Sequence, residues 1–205
     1  MEREIIEFAR HIATSNPIIA YIFFFINAAL QILFPPYPGD TIIALEGYIS
    51  SLGFLNSNLL LLTTVTGTYL SSVLLYFLSF KFGNSLIAHK FTEKFFDTEN
   101  ITKLEKWFNK YGAMAIIINK FIPGMGSITL IAAGAFQLSK IPALIAIAIA
   151  SVIHNTILFV SGKLTGDNIS KIKIMFVEYN NYLWVGLVTV FILYIYIKRL
   201  SQNKG

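Results

Sequence analysis

Between His11 and Phe80 the sequence carries only two full charges, and both are carboxylates, Asp40 and Glu46. They follow a proline break, FPPYPGD, inside an otherwise apolar stretch. A carboxylate at the centre of a membrane helix costs about 2.5–3.5 kcal/mol even on lenient insertion scales, so one placed there points to function. It can take up a proton or face a cation. The structural alternative is that Asp40 caps a helix starting near Thr41. The matching basic group is Lys120, just ahead of Pro123-Gly124. An ammonium on a flexible stem suits a phosphate as a point charge, and a helix starting near Gly126–Ser127 would add backbone N–H groups to the same anion. Lys120 could instead snorkel to the membrane surface. Ser127 and Thr129 offer hydroxyls beside it. His154, next to Asn155, could relay protons or bind a head group, or simply hydrogen-bond across a helix pair. No second histidine is near it in sequence and the chain has no cysteine, so neither a metal site nor a cofactor is expected.

These groups need elements to hold them, and the composition says what kind. Of 205 residues, 55% are hydrophobic and 13% charged, with a mean hydropathy of +0.65. A soluble domain runs near ~25% charged, and its surface could not be covered from so small a polar stock. Disorder and a nucleic-acid-binding basic domain are excluded as primary readings. The expected class is an all-α polytopic membrane protein, whose net charge of +5 follows from basic residues collecting in cytoplasmic loops.

The chain divides by its charges. Residues 1–15, mixed in sign, read as an interfacial helix with Ile5, Ile6 and Phe8 on its apolar side rather than as a cleaved signal. Residues 16–83 form a first half, with a span at 16–34, a re-entrant loop at 35–50 and a second span at roughly 57–80. Residues 84–112 read as an amphipathic cytoplasmic linker, since 81–110 hold six Lys against four acidic residues. Residues 113–166 form a second half, with a re-entrant element after Lys120 and a span at 141–162. Residues 167–205 supply a final span at 180–198 and the basic tail KRLSQNKG. This gives about four spanning helices, with both termini expected in the cytoplasm.

Pro36, Pro38 and Gly39 break the first half as Pro123 and Gly124 break the second, and Gly47 and Gly134 follow each break. Irregular backbone at membrane depth survives only where protein or a wet cavity surrounds it. Broken segments at matching places in two halves point to a transporter's binding site and to an inverted repeat. Proline-glycine pairs also end helices in any membrane protein. Gly47, Gly67, Gly134 and Gly162 are expected to allow close helix approach. Trp107, Trp184 and Tyr182 fit an interfacial aromatic belt. Asn27, Gln31 and Asn119, at the ends of apolar runs, are expected to satisfy local backbone.

The stretches QILFPPYPGD and KFIPGMGSITLIAAG, with GTYLSSVLLYFLSFKFG between them, resemble the signatures of the DedA family, also called the VTT or SNARE-associated-domain family. The resemblance runs from about Asn27 to Gly166. It implies two re-entrant loops meeting between inverted halves, and transport of lipids bearing phosphate: undecaprenyl phosphate with dependence on the proton motive force in bacteria, phospholipid scrambling in eukaryotes. The family's acidic position in Pro-Gly-Asp falls on Asp40 and its first arginine on Lys120. Three family polar positions are replaced: the earlier acid by Gln31, the second arginine by Gly126, and a Gly-Asp pair by Ser71-Ser72. Glu46 could supply the missing carboxylate.

The expected function is therefore a cell-membrane lipid flippase or scramblase, not an enzyme. It would act on a phosphate-bearing lipid such as undecaprenyl phosphate or a phospholipid, with protons as a further partner, a homo-oligomer as one possible assembly and no nucleic acid. A small-ion or drug/proton exchanger using Asp40, and a membrane-embedded lipid phosphatase, are the alternatives.

Overall fold

The computed structural model describes Glu7 and residues 16–34, 37–87, 98–122 and 124–164, without the side chains of 84–87 and 98–104. Outside the described residues lie the rest of the N-terminal interfacial helix, Pro36, Pro123, the span at 180–198 with Tyr182 and Trp184, and the basic tail. The described residues form seven helices: α1 (Pro17–Leu33), α2 (Gly39–Ser51), α3 (Ser57–Ile87), α4 (Thr98–Tyr111), α5 (Met114–Lys120), α6 (Met125–Ala135) and α7 (Lys140–Leu164). The protein is an all-α membrane protein.

Two of these helices are long and apolar enough to cross a bilayer. α3 has 31 residues and α7 has 25, or about 46 and 37 Å at 1.5 Å per residue, against a hydrocarbon core of ~30 Å. α1 is shorter, at 17 residues. Asn16 caps it by accepting from the Ile18 N–H at 3.1 Å, and Pro17 opens the first turn. The prolines after Phe34 forbid continuation, and the chain restarts at Gly39. Pro38 holds the cap position of α2 and no side chain caps that helix. Asp40 therefore lies in the first turn, and the expectation that it caps a helix is not met.

Side-chain contacts fix the directions of the helices. Tyr21 Oη accepts from the Asn56 N–H at 3.1 Å, and Ala20 and Phe24 share a core with Leu55 and Leu60. Further along, a β-carbon on Gly67 would lie 2.7 Å from the Phe25 carbonyl oxygen, and Ile32 packs in one core with Tyr76. So α1 runs parallel to α3, and α2 returns antiparallel to both, bringing Tyr48 and Ile49 back to the level of Leu60. α1 and α2 pair as a hairpin, with the end of α1 and the start of α2 beside the middle of α3.

The second half packs along the same helix, α3. The Tyr76 hydroxyl donates to the Leu138 carbonyl at 2.6 Å, and Lys140 Nζ lies 5.0 Å from the Phe80 ring centroid. At the far end Lys163 Nζ donates to Ser57 Oγ at 3.3 Å. α7 is thus antiparallel to α3. Within α6, Gly134 abuts Tyr76 and Phe80 while Ser127 reaches Ile32. The start of α6 therefore lies next to the end of α1, and α5 packs back against α6.

Close backbone contact ties the halves together. Gly47 of α2 lies against the Phe159 backbone of α7, and Gly162 of α7 lies against the Ala44 backbone. A β-carbon at either position would overlap main chain, which has no rotamer to yield. The outward faces are aliphatic: Ile18, Ile22 and Ile26 on α1, and Ile141, Ile145 and Ile157 on α7, are exposed. Such faces meet lipid rather than water. On α4, Phe108 is buried against Phe136 while Lys106 and Lys110 face outward, the amphipathic pattern expected of the linker.

Candidate functional site

The tips of the two hairpins meet. Ser127 Oγ, in the first turn of α6, donates to the Ile32 carbonyl in the last turn of α1 at 2.7 Å. The hydroxyl expected to serve a ligand is thus engaged in joining the hairpins. Around that joint the fold gathers charge. Asp40 begins α2, Lys120 ends α5, and His154 lies at mid-length on α7. Gln31 Nε2 donates to Asp40 Oδ1. His154 Nε2 is 3.9 Å from the same oxygen, with the Asp40 side chain half exposed and that of His154 nearly buried. Lys120 lies within electrostatic reach of Asp40, and His154 feels the charge of both. Among the described residues no ion pair joins Lys120 to Asp40.

Local backbone places Lys120. Gly124 adopts a left-handed conformation, φ 78°, which lets the chain reverse tightly after α5. Among the described residues no side chain caps α6; the Met125 N–H is taken by the Ile122 carbonyl at 3.0 Å, while the Gly126 and Ser127 N–H groups have no intrahelical acceptor. A β-carbon on Gly126 would lie 3.6 Å from Lys120 Cδ and 3.9 Å from its Nζ. The lysine stem therefore crosses the open first turn of α6, where the dipole also favours an anion. Ammonium and helix end form one anion-facing corner. Beside it is a small cavity lined by Ser72, Lys120, Gly126 and Ser151 together with apolar groups of α5, α6 and α7.

Glu46 lies apart from this cluster. Its side chain is 1% exposed and hydrogen-bonds Thr64 Oγ1. Thr64 Oγ1 also lies 3.1 Å from the Leu60 carbonyl, and one hydroxyl proton can serve only one acceptor at a time. Asn155 Nδ2 donates to Thr68 Oγ1 at 2.8 Å and lies 3.4 Å from the Thr64 carbonyl. Its Oδ1 is 3.5 Å from His154 Nδ1. A buried polar track thus leads from the Asp40 cluster towards Glu46.

Several polar residues behave otherwise than the sequence suggested. Gln31 reaches across to Asp40 instead of satisfying local backbone. Asn119 is fully buried, and among the described residues neither of its side-chain amide atoms has a partner; nor do the buried atoms Thr129 Oγ1 and Gln31 Oε1. Asn27 does bond locally, donating to the Phe23 carbonyl at 2.7 Å, and accepts from Tyr37 as well. Gln31, Asn155, Thr64 and Thr68 are the site-region residues that sequence reasoning missed. The usable signal was spacing: Thr64, Thr68 and Asn155 each have buried neighbours four residues before and four after.

A charged cluster enclosed between two helix breaks, within a bundle of lipid-facing helices, defines the class: a membrane protein with a polar site inside the bilayer-crossing fold. The VTT domain matches residues 36–164, and the chain belongs to this family, the DedA family. It is 30% identical over 185 residues to an alkaline phosphatase-like protein of Lactococcus lactis subsp. lactis, with 86% of each chain covered. It is 22% identical over 193 residues to undecaprenyl phosphate transporter A of Staphylococcus aureus, with 90% of this chain and 92% of the relative covered. A Bacillus subtilis membrane protein, YbfM, is 28% identical over 109 residues, covering 53% of this chain and 67% of the relative. No solved structure matches the chain.

Proposed function

We propose that the protein moves a phosphate-bearing lipid between membrane leaflets, without chemically converting it. The observation that carries this reading is the anion-facing corner of Lys120 and the α6 N-terminus, set opposite Asp40 where two helix hairpins meet. The head group would enter between the tips. Its tail would stay in the bilayer, since withdrawing it costs ~0.8 kcal/mol per CH₂. The staphylococcal relative's name, a transporter of a phosphate-bearing lipid, supports the same class.

In this reading the hairpins are re-entrant and the halves form an inverted repeat, one hairpin opening to each side. The entering limb of the first is then α1 itself, rather than a loop confined to 35–50. Orientation follows from the linker. With 84–112 on the cytoplasmic side, the end of α3 near Gly83 faces inward, and the start of α1, level with Asn56, faces outward. The expectation that the N-terminal side of α1 shares the cytoplasm with the linker does not follow from this packing. Asp40 and Glu46 are the groups that would carry a proton.

The test is reconstitution into liposomes with a labelled polyprenyl phosphate and a labelled glycerophospholipid. Leaflet exchange is followed with and without an imposed proton gradient. Folded protein giving no exchange above protein-free vesicles sinks the proposal. The lactococcal relative's name favours a second reading, phosphate-ester hydrolysis. Inorganic phosphate released in the same vesicles, with no leaflet exchange, would establish that one instead.

A further inference from the structure

Away from the hairpin tips, lysines ring one end of the bundle. α3 carries no full charge between Ser57 and Lys81, and α7 none between Lys140 and Lys163. Lys140 and Lys163 stand about 35 Å apart along the axis at 1.5 Å per residue, just over the ~30 Å hydrocarbon core. Lys140 Nζ lies 5.0 Å from the Phe80 ring centroid, so Lys81 and Lys140 share one level. Exposed Phe77, Leu78 and Ile141 lie immediately on the bilayer side of these lysines. The two lysines thus mark one surface of the membrane.

α4 is docked at that same level. Phe108 packs edge-on against Phe136, ring centroids 5.9 Å apart, and Phe136 precedes Lys140 by four residues. With Phe108 buried, the helix turns Lys106, Lys110 and Tyr111 outward. Trp107 and Tyr111, one turn apart, stack edge to face at 5.7 Å. Lys110 Nζ lies 5.0 Å from the Tyr111 ring centroid, and Lys81 Nζ 5.3 Å from that of Phe82. Lysine stems laid on rings hold their ammonium groups at the depth where tryptophan and tyrosine settle, among lipid head groups.

These cations have no anion of their own. Among the described residues none of Lys81, Lys106, Lys110 and Lys140 forms an ion pair, and Glu105 is the acidic side chain beside them. Over 81–110 the sequence holds six Lys against four acidic residues, and Lys140 adds to the surplus. An acidic soluble partner would need this charge to face water. Instead Lys81 and Lys140 adjoin exposed apolar side chains, Phe82 and Ile141, which face lipid.

We infer that this rim is a binding surface for anionic phospholipid, separate from the polar site between the hairpins. α4 lies along the head groups of one leaflet, and the four lysines gather lipids of net negative charge around it. These lipids are neighbours of the protein rather than cargo, so the inference stands whether or not any lipid is carried across.

The experiment uses the full chain with Trp184→Phe, which leaves Trp107 as the reporter. Vesicles hold equal amounts of a choline-type and an anionic glycerol-type phospholipid, with bromine near the ester end of the acyl chains of one or the other. Only the identity of the quenching lipid then differs. The brominated glycerol lipid should quench Trp107 about twofold more than the brominated choline lipid at low salt, and the excess should shrink as salt screens the charge. Lys106→Gln, Lys110→Gln and Lys140→Gln together should bring the two lipids level while both still quench. Equal quenching in the parent protein overturns the inference. So does a preference that persists in the triple variant, or quenching by neither lipid, which would place α4 clear of the membrane. Should the triple variant not insert, the parent's preference and its salt dependence decide.

Discussion

At the scale of single residues the division of labour is between Lys120 and Glu46. Lys120 makes no hydrogen bond or ion pair among the described residues, so its loss should leave the fold nearly untouched. Lys120→Ala is expected to lower exchange of every phosphate-bearing lipid by about tenfold or more, because a charge-assisted contact to phosphate contributes ~1.5–3 kcal/mol. Lys120→Arg should keep part of the rate. Wild-type exchange by the alanine variant would take this residue out of the site. Glu46 is the reverse case, since its one hydrogen bond among the described residues, to Thr64, is part of the core. Glu46→Gln keeps a group for Thr64 and should melt close to wild type in detergent. Glu46→Ala leaves a cavity and loses the hydrogen bond to Thr64, a cost of about 1–3 kcal/mol. If Glu46 carries a proton, Glu46→Gln should also abolish any response of exchange to an imposed gradient. The charged members of this picture were legible in the sequence because an ionised group inside an apolar run carries a cost that demands a reason. Gln31, Asn155 and Asn119 were not. A neutral amide at the end of such a run looks the same whether it satisfies its own turn or reaches across the molecule.

At the scale of elements, the sequence shows where helices stop more clearly than how they pack. Pro35, Pro36 and Pro38 mark the first break and Gly124 the second, since proline cannot continue a helix and a left-handed residue reverses the chain. The length of α1, however, looked like a span. Only the hydrogen bond of Tyr21 with Asn56 and the shared core of Ile32 and Tyr76 show that α1 ascends beside the first half of α3 and then gives way to α2. The glycines at Gly47 and Gly162 hold that returning helix against α7. A side chain at either meets backbone rather than a flexible neighbour. Gly47→Leu and Gly162→Leu should therefore each prevent recovery of monodisperse protein from membranes, beyond the ~1–3 kcal/mol of ordinary overpacking. Gly53→Ala is the contrast. Gly53 has φ 78° and open space around its β-position, so only the ~1 kcal/mol conformational cost applies and the protein should remain recoverable. Size-exclusion profiles of the three variants decide the matter. Equal recovery of Gly47→Leu and Gly53→Ala would mean that the α2–α7 contact is dispensable.

At the scale of the whole molecule, the two hairpins have their bases at opposite ends of α3. The turn after α2 lies beside Asn56 and the start of α3. The turn after α6 lies beside Tyr76 and Phe80, through the Tyr76–Leu138 hydrogen bond. Under the proposed translocation reading, a polar site at the meeting of two tips would be approached from each side along one hairpin, as alternating exposure requires. The native chain contains no cysteine, so single thiols can report each base without background. Ser51 and Ser139 are both exposed and stand at the bases of the first and second hairpins. With 84–112 in the cytoplasm, Ser51→Cys should react with a membrane-impermeant maleimide added outside intact cells. Ser139→Cys should react only after the membrane is opened, and Asn109→Cys in α4 should follow Ser139→Cys. Reaction of Ser51→Cys and Ser139→Cys from the same side would show that the hairpins do not enter from opposite faces. If Ser51→Cys and Ser139→Cys still report opposite faces with the sides exchanged, the hairpin arrangement survives and only the assignment of the basic linker to the cytoplasm is wrong. The labelling thus separates the architecture, which rests on helix contacts, from the orientation, which rests on the charge of one segment.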